Sequence, residues 1–312
     1  MKLGIEEYLF AFRAYKDKRN VTDALKERLK IDYNTPEIIS LAYDLQAGTY
    51  SEKAATNTKF YAERADEIVQ FAGAKLGTFN SILDVGTGEL TMYSRLLQRL
   101  ILGRGGVKAF ATDISWSRLD VGLNSTRDLL PKNLDFKCAV ADTEFLPFAT
   151  KSIDIVISDH SLEPNGARIN DVMREIFRCA RNLCVFTEPS NDLQTEEGLK
   201  RMKRLGYIFN LEKTIEQLGG KVIATKNLVH NYNELNKAKI LLVEPPLIPN
   251  KKTILIHSVT DFCYPSSDYL LQKKDAFMYF QGAGILFPIV KGIPILLKEK
   301  AILASKFNDG FI

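Results

Sequence analysis

The eight residues Ile82-Leu83-Asp84-Val85-Gly86-Thr87-Gly88-Glu89 decide the architecture. A mostly apolar run of strand length ends on two glycines spaced by one residue, and Leu90, Tyr93, Leu97, Leu100 and Ile101 then recur at helical spacing as far as Gly103. The glycines permit a tight turn and let backbone approach a ligand, while the helix that follows offers unpaired N–H groups at its start. Outward from this unit the periods keep alternating. Val107–Thr112 reads as a buried strand ending at Asp113, followed by a helix over Ser117–Leu130, strands over Phe136–Val140 and Ile153–Ser158, and a helix over Ile169–Ala180. A strand over Leu183–Thr187, a helix over Leu211–Leu218 and strands over Lys221–Thr225 and Lys239–Val243 complete the series. This alternation predicts an α/β fold with a parallel sheet covered by helices on both faces. No helix separates the last two strands, so they can pair antiparallel and leave the final strand reversed.

Two flanking pieces differ from this core. Ile5, Tyr8, Leu9, Phe12 and Tyr15, then Leu25, Leu29, Ile38, Leu41 and Ala42, fall at helical spacing, with Asn34-Thr35-Pro36 opening a new helix. Residues 1–58 therefore read as a helical N-terminal cap, and another amphipathic helix runs from Tyr61 to Phe71 into residues 59–247, the ligand-binding domain. Pro245, Pro246 and Pro249 mark a boundary, after which residues 248–312 form a small C-terminal module.

Composition narrows the classes. The chain has 312 residues, 46% hydrophobic and 26% charged, which is ordinary for a globular protein. Its 42 Lys and Arg against 38 Asp and Glu leave a net charge of +4 that no block of like charges concentrates, so nucleic acid is a less favoured partner. Cys138, Cys179, Cys184 and Cys263 form no C-x-x-C pair, which fits a reducing, cytoplasmic setting and gives no intact metal site. Glu6, Glu7, Arg13, Asp17 and Arg19 interrupt any signal-peptide stretch, and no apolar run reaches the ~18 residues of a membrane span.

In open parallel sheets ligands sit beyond the carboxyl ends of the strands, so the residues just after each strand carry the chemistry. A dinucleotide-binding turn would place a third glycine at position 91, where this chain has Thr91, and would keep a carboxylate such as Asp84 away from a pyrophosphate. Asp84 suits a ligand with a cationic group instead. Asp113 stands where an acid can accept both hydroxyls of a ribose, Asp142 where one can accept the amine of adenine, and Ile114 where an apolar side chain can sandwich the ring. Thr143 follows the third strand, and Ser158 with His160 ends the fourth.

These elements together resemble the class I S-adenosylmethionine (SAM)-dependent methyltransferases. The likeness lies in Leu83-Asp84-Val85-Gly86-Thr87-Gly88, in Asp113, and in Ala141-Asp142 with Leu146-Pro147-Phe148 followed by Ser152-Ile153-Asp154-Ile155-Val156. It covers roughly residues 60–245. It implies a Rossmann-like seven-stranded sheet with the last strand antiparallel, and SAM held by Asp84, Gly86, Thr87, Gly88, Asp113, Ile114, Asp142, Thr143 and Ser158. Leu90 departs from the pattern, standing where many members carry a small residue.

The C-terminal module resembles the small zinc-ribbon-like activator subunits of some methyltransferases through Phe287-Pro288-Ile289-Val290-Lys291-Gly292-Ile293-Pro294-Ile295-Leu296-Leu297. Aligned on that ending, the expected cysteines fall on Cys263, Ser266, Phe280 and Ala283, too few thiols for a tetrahedral zinc. No metal is expected, and the module is expected to cover or dock.

Methyltransferases acting on amides or adenine amines resemble one another in an Asn/Asp-Pro-Pro-aromatic run after the fourth strand, where this chain has Ser158-Asp159-His160-Ser161-Leu162-Glu163-Pro164. Carbon methylation of pyrimidines needs a cysteine nucleophile at a strand end, and none is placed there. His160 then becomes the candidate catalytic base for O-methylation of a small polar acceptor such as a sugar or glycan precursor, lining or packing being its bland alternative. RNA methylation and a non-catalytic SAM-binding scaffold are the rivals. Tyr8, Phe10, Phe12, Tyr15, Tyr33, Tyr43 and Tyr50 can line an acceptor pocket, although helical spacing favours core packing for most. Glu188-Pro189-Ser190 and the 200–204 basic cluster can meet a polar acceptor; Tyr61 can contact the methionine end of the cofactor, although helix packing is the favoured reading, and His230 and His257 read as structural or solvated. Oligomeric state is not legible.

Overall fold

The computed structural model describes residues 3–247 and 261–307. His257 and Pro249 lie outside the described residues. Five helices come first: α1 (Ile5–Lys16), α2 (Val21–Leu29), α3 (Pro36–Leu45), α4 (Thr49–Thr56) and α5 (Thr58–Leu76). Local chemistry starts and stops them. Asn20 accepts from the Asp23 N–H at the head of α2, Thr35 accepts from Ile38 N with Pro36 as the first residue of α3, and Lys30 closes α2 in the left-handed region.

The sheet follows as β1 (Ser81–Val85), β2 (Lys108–Asp113), β3 (Asp135–Val140), β4 (Ile153–Asp159), β5 (Ala180–Pro189), β6 (Lys221–Asn227) and β7 (Ala238–Glu244). Between them run α6 (Tyr93–Leu100), α7 (Trp116–Ser125), α8 (Ile169–Cys179), α9 (Glu196–Leu205) and α10 (Leu211–Gln217). The order is β3-β2-β1-β4-β5-β7-β6, with β7 antiparallel to both neighbours. The reversed strand expected from the short Lys226–Ala238 connection is present, inserted inside the edge strand β6. Every residue of β1 is buried, as a strand covered on both faces requires. Leu83, Val85, Val156 and Phe186 enter one core with α8, and Ile82, Ile155, Ile157 and Val185 enter the other with α5 and α6.

Helix α9 is absent from the sequence reading although its signals are present: Thr195 accepts from Gly198 N, Glu196 and Glu197 occupy the first turn, and Gly206 ends it in the left-handed region. The expected core packing of the N-terminal aromatics also needs correction. Tyr8, Phe12, Tyr15 and Tyr33 are exposed, and α1 buries Ala11 and Ala14 instead, because the small face of the helix fits closely against α2 and α3.

Residues 261–307 add a small sheet of β8 (Gln272–Lys274), β9 (Phe277–Phe280), β10 (Ile285–Val290), β11 (Ile293–Pro294) and β12 (Ile302–Leu303). Phe262, Leu271, Met278, Phe287 and Leu296 join the core of the large sheet, with Phe262 against Phe110 and Phe148. Beside the exposed edge of β3, Val140 and Ile295 form a parallel bridge and Leu296 N–H donates to Val140 O at 2.8 Å. Cys263 N–H donates to Pro147 O and Ser266 N–H to Leu146 O, so this segment also pairs backbone carbonyls of the loop between β3 and β4. No described helix is long and apolar enough to cross a membrane.

Candidate active site

A cavity of about 720 Å³ opens at the carboxyl ends of β1, β2 and β4, within the range of small-molecule sites. Its floor is the turn after β1. Gly86 and Gly88 have φ of 66° and 59°, values that favour glycine, but what stands close to them is the protein itself. A Cβ on Gly86 would lie 2.4 Å from the Ser161 Cβ, and one on Gly88 would lie 2.5 Å from an Arg118 guanidinium nitrogen. Leu90 has a φ of 58° and a fully buried side chain, so burial in the α5–α6 core offsets the backbone strain of a branched residue there.

The acids divide by what they hold. Asp113 accepts from Gly88 N–H at 2.8 Å through one oxygen and from Ser115 N–H at 2.9 Å through the other, which fixes the glycine turn against the start of α7. Each oxygen keeps one acceptor position, as many as two ribose hydroxyls need. Arg168 donates to both oxygens of Asp142 at 2.9 Å and to Glu144 at 2.9 Å, and Glu144 N–H adds to one Asp142 oxygen, leaving its Oδ2 one position. Asp84 is buried at the cavity wall with no ion pair among the described residues, and burial pushes its carboxyl well above the usual range. A cationic group placed beside it would reverse that shift. Ile114 and Thr143 line the same cavity; Tyr61 also reaches it while packing on the α5–α6 core.

Ser158 is not placed with them. It is buried below the cavity, its hydroxyl committed to Glu188 and 3.0 Å from the Ser161 hydroxyl. Glu188 accepts from Ser161 N–H and Leu162 N–H through the same oxygen, and burial pushes its carboxyl up to about 7. It stabilises the loop after β4 from beneath and does not meet an acceptor from the cavity wall.

His160 heads that loop with a φ of 55°, its N–H donating to Thr187 O at 2.9 Å. Its Nδ1 lies 3.2 Å from Glu163 Oε2, an oxygen that also accepts from Asn236 Nδ2 at 2.9 Å. With Nδ1 donating to that carboxylate, Nε2 carries the lone pair, and Nε2 is buried with no hydrogen-bond partner among the described residues. Beside it, fully buried Arg64 pairs with Asp159, donates to His230 O and lies 4.1 Å beneath the Tyr232 ring, whose hydroxyl donates to Asp159. His230 itself pairs with Glu67 on α5.

The N-terminal helices roof the cavity and are fastened to its rim. Asp44 on α3 accepts from Ser115 Oγ, Ser117 N–H and Ser117 Oγ at the head of α7. Glu89 answers in the other direction, accepting from Gly48 N–H and Ser51 N–H at the head of α4. Asn34 donates to Pro164 O and Leu205 O. Carboxylates at helix starts are worth roughly 0.3–1 kcal/mol each, so the roof is held by several modest ties. Of the N-terminal aromatics proposed for a pocket, Tyr43 and Tyr50 line it, and Arg118 sits 5.1 and 4.6 Å from their ring centres. From the 200–204 cluster only Arg201 does so, whereas Arg204 pairs with Asp23. Sequence reasoning missed Arg64, Arg118, Arg168, Tyr207, Tyr232 and Asn236; the one local signal was Arg118, a turn and a half after Asp113.

Residues 83–186 match a family model described as a methyltransferase domain. A search of curated proteins returned no match. Among solved structures, magnesium protoporphyrin IX methyltransferase from Synechocystis with bound S-adenosylhomocysteine is 16% identical, covering 59% of this chain and 83% of that one at a TM-score of 0.46. A putative sarcosine dimethylglycine methyltransferase from Galdieria sulphuraria is 14% identical over 62% of this chain and 88% of that one, at 0.46. A chain of the complex between the Haloferax volcanii Trm112 methyltransferase activator and the putative methyltransferase is 13% identical over 65% and 97%, at 0.48. The family match supports a SAM-dependent methyltransferase, and Asp84, Asp113 and Asp142 of the matched residues line the cavity.

Proposed function

We propose that the chain methylates a hydroxyl of a small polar acceptor, of the sugar or glycan-precursor kind, with His160 as the base. Bound SAM supplies an activated methyl group on a sulfonium. Asp113 would hold the ribose hydroxyls, Asp142, Thr143 and Ile114 the adenine, and Asp84 with Gly86, Thr87 and Gly88 the cationic methionine end. Free acceptor positions on Asp113 and Asp142, and the uncompensated carboxylate of Asp84, support that assignment. Ser158 acts in this scheme through the loop it braces.

The observation that carries the base role is the buried, partnerless Nε2 of His160, with Nδ1 turned to Glu163. Glu163 and Asn236 hold the tautomer in which Nε2 receives a proton from the acceptor hydroxyl. The helical roof excludes water and orders the acceptor, which supplies much of the rate of a displacement. Residues 261–307 would serve as a covering element bound in cis to the β3 edge, in the manner of an activator subunit, and would do so without zinc.

S-adenosylhomocysteine release measured against a panel of hydroxyl-bearing metabolites tests the reading. Turnover is expected in the wild type, and His160→Ala should lower kcat by about 10²–10⁴-fold, with S-adenosylhomocysteine affinity within twofold. A fall of only a few-fold removes His160 as base. Cofactor binding with no turnover across the panel favours a scaffold instead.

A further inference from the structure

The cavity contains three arginines, and they are not equivalent. Arg168 is saturated by Asp142, Glu144 and Asn165. Arg118 also has a buried Nε without a hydrogen-bond partner among the described residues, but its charge lies between Asp113 and Glu89, 4.0 Å from the latter, and packs on two tyrosine rings. Arg201 has no acidic partner among the described residues. Its guanidinium lies 5.3 Å from the Tyr207 ring centre, and its Nη1 is buried without a hydrogen-bond partner among the described residues. Three carboxylates face this region and each is engaged: Glu163 by His160, Asn236 and the Tyr207 hydroxyl, Glu89 by Gly48 and Ser51 N–H, and Asp113 by Gly88 and Ser115 N–H.

A second unpaired cation stands across the cavity. Lys53, on α4, has its Nζ 5.6 Å from the Tyr50 ring centre and no acidic partner among the described residues. Tyr50 thus lies among Lys53, Arg118 and Arg201, and Tyr43 and Tyr207 line the same part of the cavity. A desolvated guanidinium nitrogen is costly unless an acceptor meets it, and planar two-pronged donation to an oxyanion is what guanidinium does best. Tyrosine hydroxyls add neutral donors that tolerate the remaining charge.

From this we infer that Arg201, supported by Lys53 and the hydroxyls of Tyr43 and Tyr50, forms an oxyanion subsite for the methyl acceptor, which carries a carboxylate or phosphate besides the hydroxyl that is methylated. The subsite deepens the proposed function and rests on it. Tyr207 has both Glu163 and Arg201 in its surroundings, so an acceptor anchored at Arg201 would present its other end beside the Glu163–His160 pair. Arg201 is a specificity residue in this scheme and takes no part in proton transfer.

Titration calorimetry with 4-hydroxybenzoate, phenyl phosphate and neutral 4-hydroxybenzamide, on protein saturated with S-adenosylhomocysteine and on protein without it, is the test. At least one of the two anions should bind ten times more tightly than the amide, and which one does so distinguishes carboxylate from phosphate. Arg201→Gln should abolish that preference while S-adenosylhomocysteine affinity stays within twofold, and Lys53→Gln should reduce it about threefold. Equal binding of anion and amide, no binding of either anion at 10 mM, or a preference that survives Arg201→Gln overturns the subsite. Loss of S-adenosylhomocysteine binding in Arg201→Gln would move the guanidinium to the cofactor and also overturn it. Failure of the wild type to bind S-adenosylhomocysteine would sink the methyltransferase reading alone, since the cofactor-free titration still reads the anion preference.

Discussion

On the cavity wall after β2 and β3, Asp113 and Asp142 are engaged by backbone N–H groups and by Arg168, whereas on the wall formed by α9 and the loop after β4, the Nη1 of Arg201 and the Nε2 of His160 have no hydrogen-bond partner among the described residues. The first wall is organised before any ligand arrives, because its carboxylates also hold the turns that carry them. The second wall keeps its donors and its acceptor unspent. A wall of the first kind suits an unvarying cofactor, and one of the second kind suits the ligand that differs between enzymes.

The contrast can be broken most forcefully at Asp113. Replacing it with Ala removes the anchor of Gly88 together with the proposed ribose contacts, and S-adenosylhomocysteine affinity by calorimetry should fall about 100- to 1000-fold, much as removal of a charged hydrogen-bonding partner from a buried site does. An affinity within fivefold of wild type would mean that the turn is held by other means.

Glu188 separates the floor from both walls. Its carboxyl is raised to about 7 in the fold, so the folded state binds the proton more tightly than the unfolded chain does. The stability it contributes is present below its unfolded pKa and is lost as pH rises through about 7, by at most on the order of 3 kcal/mol. Denaturant midpoints between pH 5 and 8 should show that decline, and Glu188→Gln should flatten it.

Asp84 gives the smallest of these effects. Because its carboxyl is raised, a ligand bearing an ammonium must displace a proton from it, and S-adenosylhomocysteine affinity should climb with pH by no more than about tenfold per unit. Asp84→Asn should bind weakly with no such slope. A wild-type affinity that falls with pH over the same range contradicts a cation beside Asp84.

How much of this was legible follows from the same contrast. The strands, the glycine turn, Asp84, Asp113 and Asp142 belong to short contiguous runs in which strand periodicity places the next residue at the sheet's carboxyl edge, so local sequence was enough. Arg201 and Tyr207 come from α9 and the turn after it, Tyr232 and Asn236 from the β6–β7 connection, and only the packed fold brings these two stretches to the cavity with Glu163 and His160. Tyr43 and Tyr50 could not be told from Tyr8 or Tyr33 by spacing, because the choice depends on which helical face meets the rim through Asp44 and Glu89. Ser158 misled for the opposite reason: it lies at the right strand end, but Glu188, thirty residues on, claims its hydroxyl.

The segment that runs beside β3 through Val140 and Ile295 is part of the same polypeptide as the sheet it covers. Tethering turns docking into an intramolecular event at a high effective concentration, so dilution does not uncover that border and a free partner must compete against a segment that never diffuses away. An enzyme built this way carries a fixed one-to-one stoichiometry between body and cover, independent of how much of either a cell makes.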